Sequence, residues 1–126
     1  MYRADLKKVW PKVCRYYAMN HAYYEMELHV HSELEIMYAA EGTCSVFVAE
    51  APEDCREIVL REGTYIFLDS GVPHRLAVKR EAPCRVLNLE IALVPDENGL
   101  SLEMLRASAS FKKLLCSGAS YFTGAD

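Results

Sequence analysis

Hydrophobic and polar residues alternate in short segments over most of the chain, from about residue 12 to residue 93. The segments are rich in Val, Ile, Tyr and Phe, and turn residues separate them. Glycines stand at several of these breaks, where a chain reverses most easily with positive φ. Short strands without intervening helices predict an antiparallel sandwich or barrel. The predicted strands are residues 12–18, 25–30, 34–40, 44–49, 57–60, 65–68, 75–79 and 84–93.

The pattern changes after Pro95, where helical signals replace the strand signals. Ser101 can cap a short helix, and a second helix is predicted from about Ser110. We therefore divide the chain into an N-terminal arm (1–11), a β-barrel (12–94) and a helical linker or dimerisation segment (95–126). The last ten residues contain no obvious stop signal, so we expect the native chain to continue. The apolar face of the second helix consists of Phe111, Leu114 and Leu115.

Composition and charge exclude several classes of protein. The chain has 126 residues with 52% hydrophobic content, enough for one domain with a core. No apolar run approaches the length of a membrane span, and the charged N-terminus does not resemble a signal peptide, which predicts a cytoplasmic protein. Fourteen basic against eighteen acidic residues leave a net charge of −4. A domain that binds DNA by itself normally carries a basic face, so DNA binding would require a domain outside these residues.

Three histidines and one glutamate form the clearest candidate for chemistry. His29 and His31 are one residue apart, so on a strand both rings would project from one face. Glu35 follows after a possible turn, and His74 follows a turn-rich segment before another strand. Imidazole nitrogens with one carboxylate oxygen suit Fe, Mn, Ni, Zn or Cu. The alternative is a polar lining of a pocket without a metal.

The spacing of these residues resembles the two motifs of the cupin superfamily. The first motif, G-x5-H-x-H-x3,4-E-x6-G, is matched up to Gly42, except that Tyr23 replaces its leading glycine. The second, G-x5-P-x-G-x2-H-x3-N, is matched at Gly63, Gly71 and His74. Asp69 replaces its proline and Val78 its asparagine, and neither position is a ligand. The resemblance implies an all-β double-stranded β-helix, or jelly-roll barrel, here with short C-terminal helices. Its implied metal ligands are His29, His31, Glu35 and His74.

A narrower resemblance concerns the sensor domains of AraC-type transcriptional regulators. The segment from His29 to Gly42, the stretch 61–68, the turn 71–74 and the strand 86–91 are similar to those sensors. Thr64, where the family often has Asp, and a long insert at residues 50–62 are departures. The resemblance implies a cupin barrel, helices that dimerise and a separate helix-turn-helix domain. It also implies an arm that can fold over the barrel, which makes Trp10 a candidate ligand contact.

These observations support a regulatory domain that senses a small polar effector, most plausibly a sugar, and forms a homodimer. The effector would be held by the His/Glu residues, directly or through a metal, with Trp10 and Tyr38 as candidate aromatic contacts. Packing in the core is the alternative role for those aromatics. We regard the domain as non-enzymatic. The rival hypothesis is a stand-alone metal-dependent cupin enzyme, a dioxygenase or sugar isomerase, and a third is a binding or storage cupin.

Overall fold

The strands follow the alternation of the sequence and occupy nearly the whole described chain. The computed structural model describes residues 8–51, 53–107 and 121–125. Ser101 Oγ accepts a hydrogen bond from the Glu103 amide at the start of the helix, as expected for a cap. The elements are β1 (Lys8–His21), β2 (Tyr24–Glu25), β3 (Leu34–Gly42), β4 (Cys44–Ala51), β5 (Asp54–Leu60), β6 (Thr64–Leu68), β7 (His74–Val78), β8 (Cys84–Pro95), β9 (Leu100–Ser101), α1 (Leu102–Ala107) and β10 (Tyr121–Ala125).

Two curled antiparallel sheets form the barrel that the sequence predicts. The larger sheet has the order β10-β6-β3-β8-β1-β9, and the smaller has the order β2-β7-β4-β5. Their inner faces enclose one hydrophobic core to which β3, β4, β6, β7 and β8 all contribute. In β7 the burial alternates with period two, so His74, Leu76 and Val78 point inward. The same alternation in β3 places Glu35 and Met37 on the inner face.

The inner face changes from apolar to polar towards one end of the barrel. In β8, Cys84 and Val86 are buried at the apolar end, and Asn88 and Glu90 are buried further along the same face. Glu35 is the register partner of Glu90 on the neighbouring strand. The buried polar side chains of β3 and β8 therefore lie at one end of the barrel. They form part of the site described below.

Several elements differ from the sequence-based prediction. Residues 8–11, expected in an arm, belong to β1, where Trp10 pairs with Val94. Pro11 is tolerated there because β9 pairs with β1 only at Lys8 and Val9, which leaves β1 an edge strand beyond them. The predicted strand at 25–30 is reduced to β2 and a single bridge between His29 and His74.

The C-terminal region also differs from the prediction. The strand β10 was not predicted, and it pairs with β6 at one edge of the larger sheet. The second predicted helix, with Phe111, Leu114 and Leu115, lies outside the described residues. In the described part of the chain, no helix is long and apolar enough to span a membrane.

A second apolar cluster lies on the outer face of the larger sheet. Leu34 and Phe67 are buried there, and Phe67 stacks on Phe122 of β10 with ring centroids 5.1 Å apart. An apolar groove of about 440 Å³ lies beside β1, β3 and β8, and its lining includes Tyr16, Ile36 and Leu89. None of the three histidines lines this groove, but Tyr17 and the buried Asn88 do, so the groove adjoins the polar end of the barrel.

The glycine at the β3–β4 turn gives the first testable prediction. Gly42 has φ +76°, and a Cβ there would lie 2.1 Å from the Pro83 carbonyl oxygen. Gly63 has φ +83° but open space around it, so it is a matched control. Gly63→Ala should lower the free energy of unfolding by about 1 kcal/mol, the cost of the left-handed backbone. Gly42→Ala should lower it by roughly 3 kcal/mol, because the clash adds to that cost. Urea denaturation measures both, and equal losses would contradict the packing argument.

Candidate metal and effector site

The structure brings the four predicted ligands together. His29 and His74 exchange two main-chain hydrogen bonds of 3.0 Å, which fixes the segment before β3 against β7. The ring centroids of His29, His31 and His74 lie 4.4 to 5.5 Å apart. One ligand atom from each histidine and from Glu35 lies within 4.8 Å of all the others. His29 lies in an isolated β-bridge rather than in a regular strand. The four side chains nevertheless converge, as their spacing predicts.

Main-chain carbonyls orient all three imidazole rings. Nδ1 lies 3.2 Å from the Glu27 carbonyl oxygen in His29, and 3.1 Å from that of Glu33 in His31. In His74 it lies 2.7 Å from the carbonyl oxygen of Val72. A carbonyl oxygen only accepts, so each Nδ1 must carry the proton and donate it. A neutral ring then presents Nε2 as a lone pair, which is the arrangement found in metal-binding histidines.

The atoms that face one another at the centre of the site are acceptors. His74 Nε2 lies 2.8 Å from Glu35 Oε2, and His31 Nε2 lies 3.4 Å from Glu35 Oε1. Both Nε2 atoms and Glu35 Oε2 are buried without an aligned hydrogen-bond partner among the described residues. Glu35 and His74 are only 3% and 1% exposed, so water does not solvate them freely. Unpaired buried acceptors are costly, and a cation at this point would satisfy several of them at once.

The contact between Glu35 and His74 shifts the pKa values of both groups. Burial alone would raise the pKa of Glu35, but its contact with His74 outweighs burial and lowers it. Burial alone would lower the pKa of His74, but its contact with Glu35 outweighs burial and raises it. In the metal-free protein, His74 therefore holds a proton more readily than an ordinary histidine does. A metal ion would take the place of that proton.

Three further polar residues belong to the site, and two of them, Asn88 and Glu90, were missed by the sequence analysis. Asn88 donates from Nδ2 to Glu35 Oε1 at 3.3 Å. Glu90 Oε1 lies 3.4 Å from His31 Nε2, and Glu90 is 9% exposed. Burial and the nearby Glu35 carboxylate raise the pKa of Tyr17, which keeps this phenol neutral. Polar residues at alternating positions of an otherwise apolar strand, as in Asn88 and Glu90, were the signal that could have found them.

The two predicted aromatic contacts lie elsewhere. Tyr38 is three residues from Glu35 in the same strand, so it points to the opposite face and lines the outer groove. Trp10 is 53% exposed, and its register partner Val94 lies roughly 13 Å along β8 from Glu90. The structure therefore brings neither side chain to the histidines.

The donor set fits a first-row transition metal ion. Three neutral imidazoles and one carboxylate are ligands that Fe, Mn, Ni, Zn and Cu accept. The fit rests on buried acceptors that lack partners and on Nδ1 contacts that orient the rings. His31, Glu33 and Glu90 form a second, overlapping group with ligand atoms within 4.8 Å of one another. Because His31 belongs to both groups, Glu90 lies immediately beside the four-ligand group.

Fold and donor set together define a cupin-type domain. The chain belongs to the family of AraC-like ligand-binding domains, whose family model matches residues 11–115. This match runs from Pro11 in β1 through α1, leaves β10 outside, and confirms the resemblance noted in the sequence. A search of curated proteins finds no significant match.

Solved structures support the fold. YhaK from Escherichia coli is 8% identical with a TM-score of 0.60, and the match covers 92% of this chain but 43% of YhaK. A domain of CENP-C from Drosophila melanogaster is 17% identical with a TM-score of 0.53, covering 72% of this chain and 70% of the other. A candidate mannose-6-phosphate isomerase from Ralstonia eutropha JMP134 is 13% identical with a TM-score of 0.52. The match covers 69% of this chain and 91% of the other. At these identities the likeness concerns the fold alone.

The raised pKa of His74 predicts how the stability of the metal-free protein depends on pH. A group whose pKa is raised by folding stabilises the fold fully below its unfolded pKa, about 6.5 for histidine. That stabilisation is lost as the pH rises through the higher pKa of the folded state. We therefore expect the free energy of unfolding to fall as the pH rises above about 6.5.

His74→Gln should remove most of this dependence, because glutamine does not titrate. Urea unfolding at a series of pH values, in the presence of a chelator, measures both proteins. Equal slopes for wild type and variant above this pH would contradict the assignment of the raised pKa to His74.

Proposed function

We propose that this domain senses a small polar effector, most plausibly a sugar or related metabolite, for a transcriptional regulator. Membership of the AraC-like ligand-binding family is the observation that carries the proposal. The buried cluster of His29, His31, Glu35 and His74 supports it, because these side chains leave acceptors for a bound molecule or ion.

The effector would act by shifting a conformational equilibrium. A ligand shifts such an equilibrium only if it binds the two states with different affinity. We propose that the readout is made by a homodimer, with Phe111, Leu114 and Leu115 in its contact, and by a separate DNA-binding domain. The net charge of −4 supports a division in which these residues do not contact DNA themselves. The proposed compartment is the cytoplasm.

A divalent transition metal fits this proposal as a cofactor. His29, His31, Glu35 and His74 would hold it, and it would supply a Lewis acid able to orient an oxygen or nitrogen of the effector. The chain's own residues fix the geometry: the carbonyls of Glu27, Glu33 and Val72 hold the rings, and Asn88 holds Glu35.

A metal-dependent cupin enzyme is the second candidate, and Glu90 is the observation that favours it. The Glu90 carboxylate lies 3.4 Å from His31 Nε2. A carboxylate beside an open metal position can accept a proton. The two candidates differ in whether the bound molecule is changed.

An effector screen separates sensor from enzyme. Neutral sugars, polyols and small polar metabolites are added to the purified protein, and the midpoint of thermal unfolding is recorded. A compound at about 100 times its Kd should raise the midpoint by several degrees. The compound should be recovered unchanged by NMR after long incubation, and its effect should disappear in His31→Gln. Conversion of the compound to a product would favour the enzyme and contradict the sensor.

Metal binding by the cluster gives a separate prediction. Titration with Co²⁺, followed by its visible absorption, should show one site in the wild type. His74→Ala should lose affinity by about 100-fold or more, because it removes a ligand rather than an outer partner. His21→Ala is the matched control, since its register partner Cys84 lies roughly 20 Å along β8 from Glu90. Equal affinity for Co²⁺ in the two variants would exclude the cluster as the metal site.

A further inference from the structure

Two acceptors lie beside the four-ligand cluster and are not part of it. Asn88 donates to the Glu35 carboxylate, which can only accept from it, so the orientation of the amide is fixed and Oδ1 remains an acceptor. Asn88 is 5% exposed, and no described residue forms a hydrogen bond with its Oδ1. Glu90, two residues further along the inner face of β8, adds a buried carboxylate beside His31.

The contact between Glu90 and the lone pair of a neutral His31 ring is unfavourable. His31 donates from Nδ1 to the Glu33 carbonyl, so its Nε2 is a lone pair. That lone pair lies 3.4 Å from Glu35 Oε1 and 3.4 Å from Glu90 Oε1. Acceptors at this separation stabilise one another only through a donor or a cation placed between them.

Among the described residues, Arg15 is the one cationic partner of Glu90 apart from His31, and this ion pair is weak. Arg15 Nε lies 3.6 Å from Glu90 Oε2, but the Arg15 side chain is 72% exposed. An ion pair of that exposure contributes little to stability. The Arg15 contact therefore does not account for the burial of Glu90.

The charges at the centre also restrict what can bind. A divalent ion with two carboxylates, Glu35 and Glu90, is formally neutral. An anion would then meet the Glu90 carboxylate without a compensating cation. Lysine and arginine are missing from the buried polar side chains of the described ranges, which are Glu35, Ser45, Asp69, His74, Asn88 and Glu90.

We propose that Glu90 and Asn88 are the specificity-determining acceptors of this site and that they bind the hydroxyl donors of an uncharged polyol. Carboxylates and phosphates of the same size are rejected. This inference rests on the proposed effector-sensing function. It adds the residues that select the effector and the net charge that the effector must have.

Glu90→Gln tests the inference in the unloaded protein at pH 8. The new amide can donate to His31 Nε2, so an acceptor contact becomes a hydrogen bond. The midpoint of thermal unfolding should rise by about 4 °C, the shift that one net hydrogen bond gives in a domain of this size. Glu41→Gln is the matched control: it removes a carboxylate 3.8 Å from Arg85 on the surface and should leave the midpoint unchanged.

A lower or unchanged midpoint in Glu90→Gln, or failure of this variant to fold, overturns the inference. Either result would mean that the Glu90 carboxylate stabilises the fold through its ion pair. Arg15→Gln separates the two contacts, because it removes the ion pair but leaves Glu90 beside His31. No rise in midpoint is expected for that variant.

Azide tests the rejection of anions in the Co²⁺-loaded protein. Azide binds open metal positions and is followed by the change in the Co²⁺ spectrum. Its Kd should be about tenfold or more lower in Glu90→Gln than in the wild type, because a nearby negative charge has been removed. Equal azide affinities, including no binding to either protein, overturn the charge argument. A wild type that takes up no Co²⁺ removes the metal from the proposed function, and the unfolding measurement then decides this inference alone.

Discussion

The donation of Nδ1 protons to main-chain carbonyls is the constraint on which the rest of the site depends. These contacts in His29, His31 and His74 fix each ring and direct a lone pair away from the backbone. Without them, the rings could rotate and donate to Glu35, and the centre would be an ordinary buried hydrogen-bond network. With them, the carboxylate and the imidazoles meet as acceptors, and the contact with Glu35 raises the pKa of His74.

The barrel makes this arrangement tolerable because it fixes the side chains from several strands at once. Glu35 and Glu90 are partners in the β3–β8 register, and His74 begins β7 in the other sheet. The residues that follow Glu35 and His74 on the same inner faces, Met37 and Leu76, belong to the apolar core. A slip of one residue in β3 would expose Met37 and move Glu35 to the outer face. The burial that stabilises the core therefore also holds the polar cluster in place.

The sequence predicted the part of the site that depends on local spacing and missed the part that depends on strand pairing. His29, His31 and Glu35 lie within seven residues, so their proximity follows from the chain itself. His74 could be added because the second motif placed it after a turn.

Glu90 and Asn88 could not be predicted in the same way, because their contacts arise from the register between β3 and β8. The strand β10 was missed for a similar reason: its pairing with β6 is a long-range contact that alternation does not specify. Tyr38 lies on the face opposite to Glu35, as an odd separation in one strand implies.

The charge of the site, more than its ligand set, bears on the choice between sensing and catalysis. Three imidazoles and a carboxylate are compatible with both, because a shared fold and donor set do not define an activity. Catalysis requires groups that bind the transition state more tightly than the ground state. The buried polar side chains of the described part offer acceptors and no buried lysine or arginine that would stabilise a developing negative charge. If a divalent ion were bound beside Glu35 and Glu90, the centre would be formally neutral, and its acceptors would suit the hydroxyl donors of an uncharged molecule better than an anion.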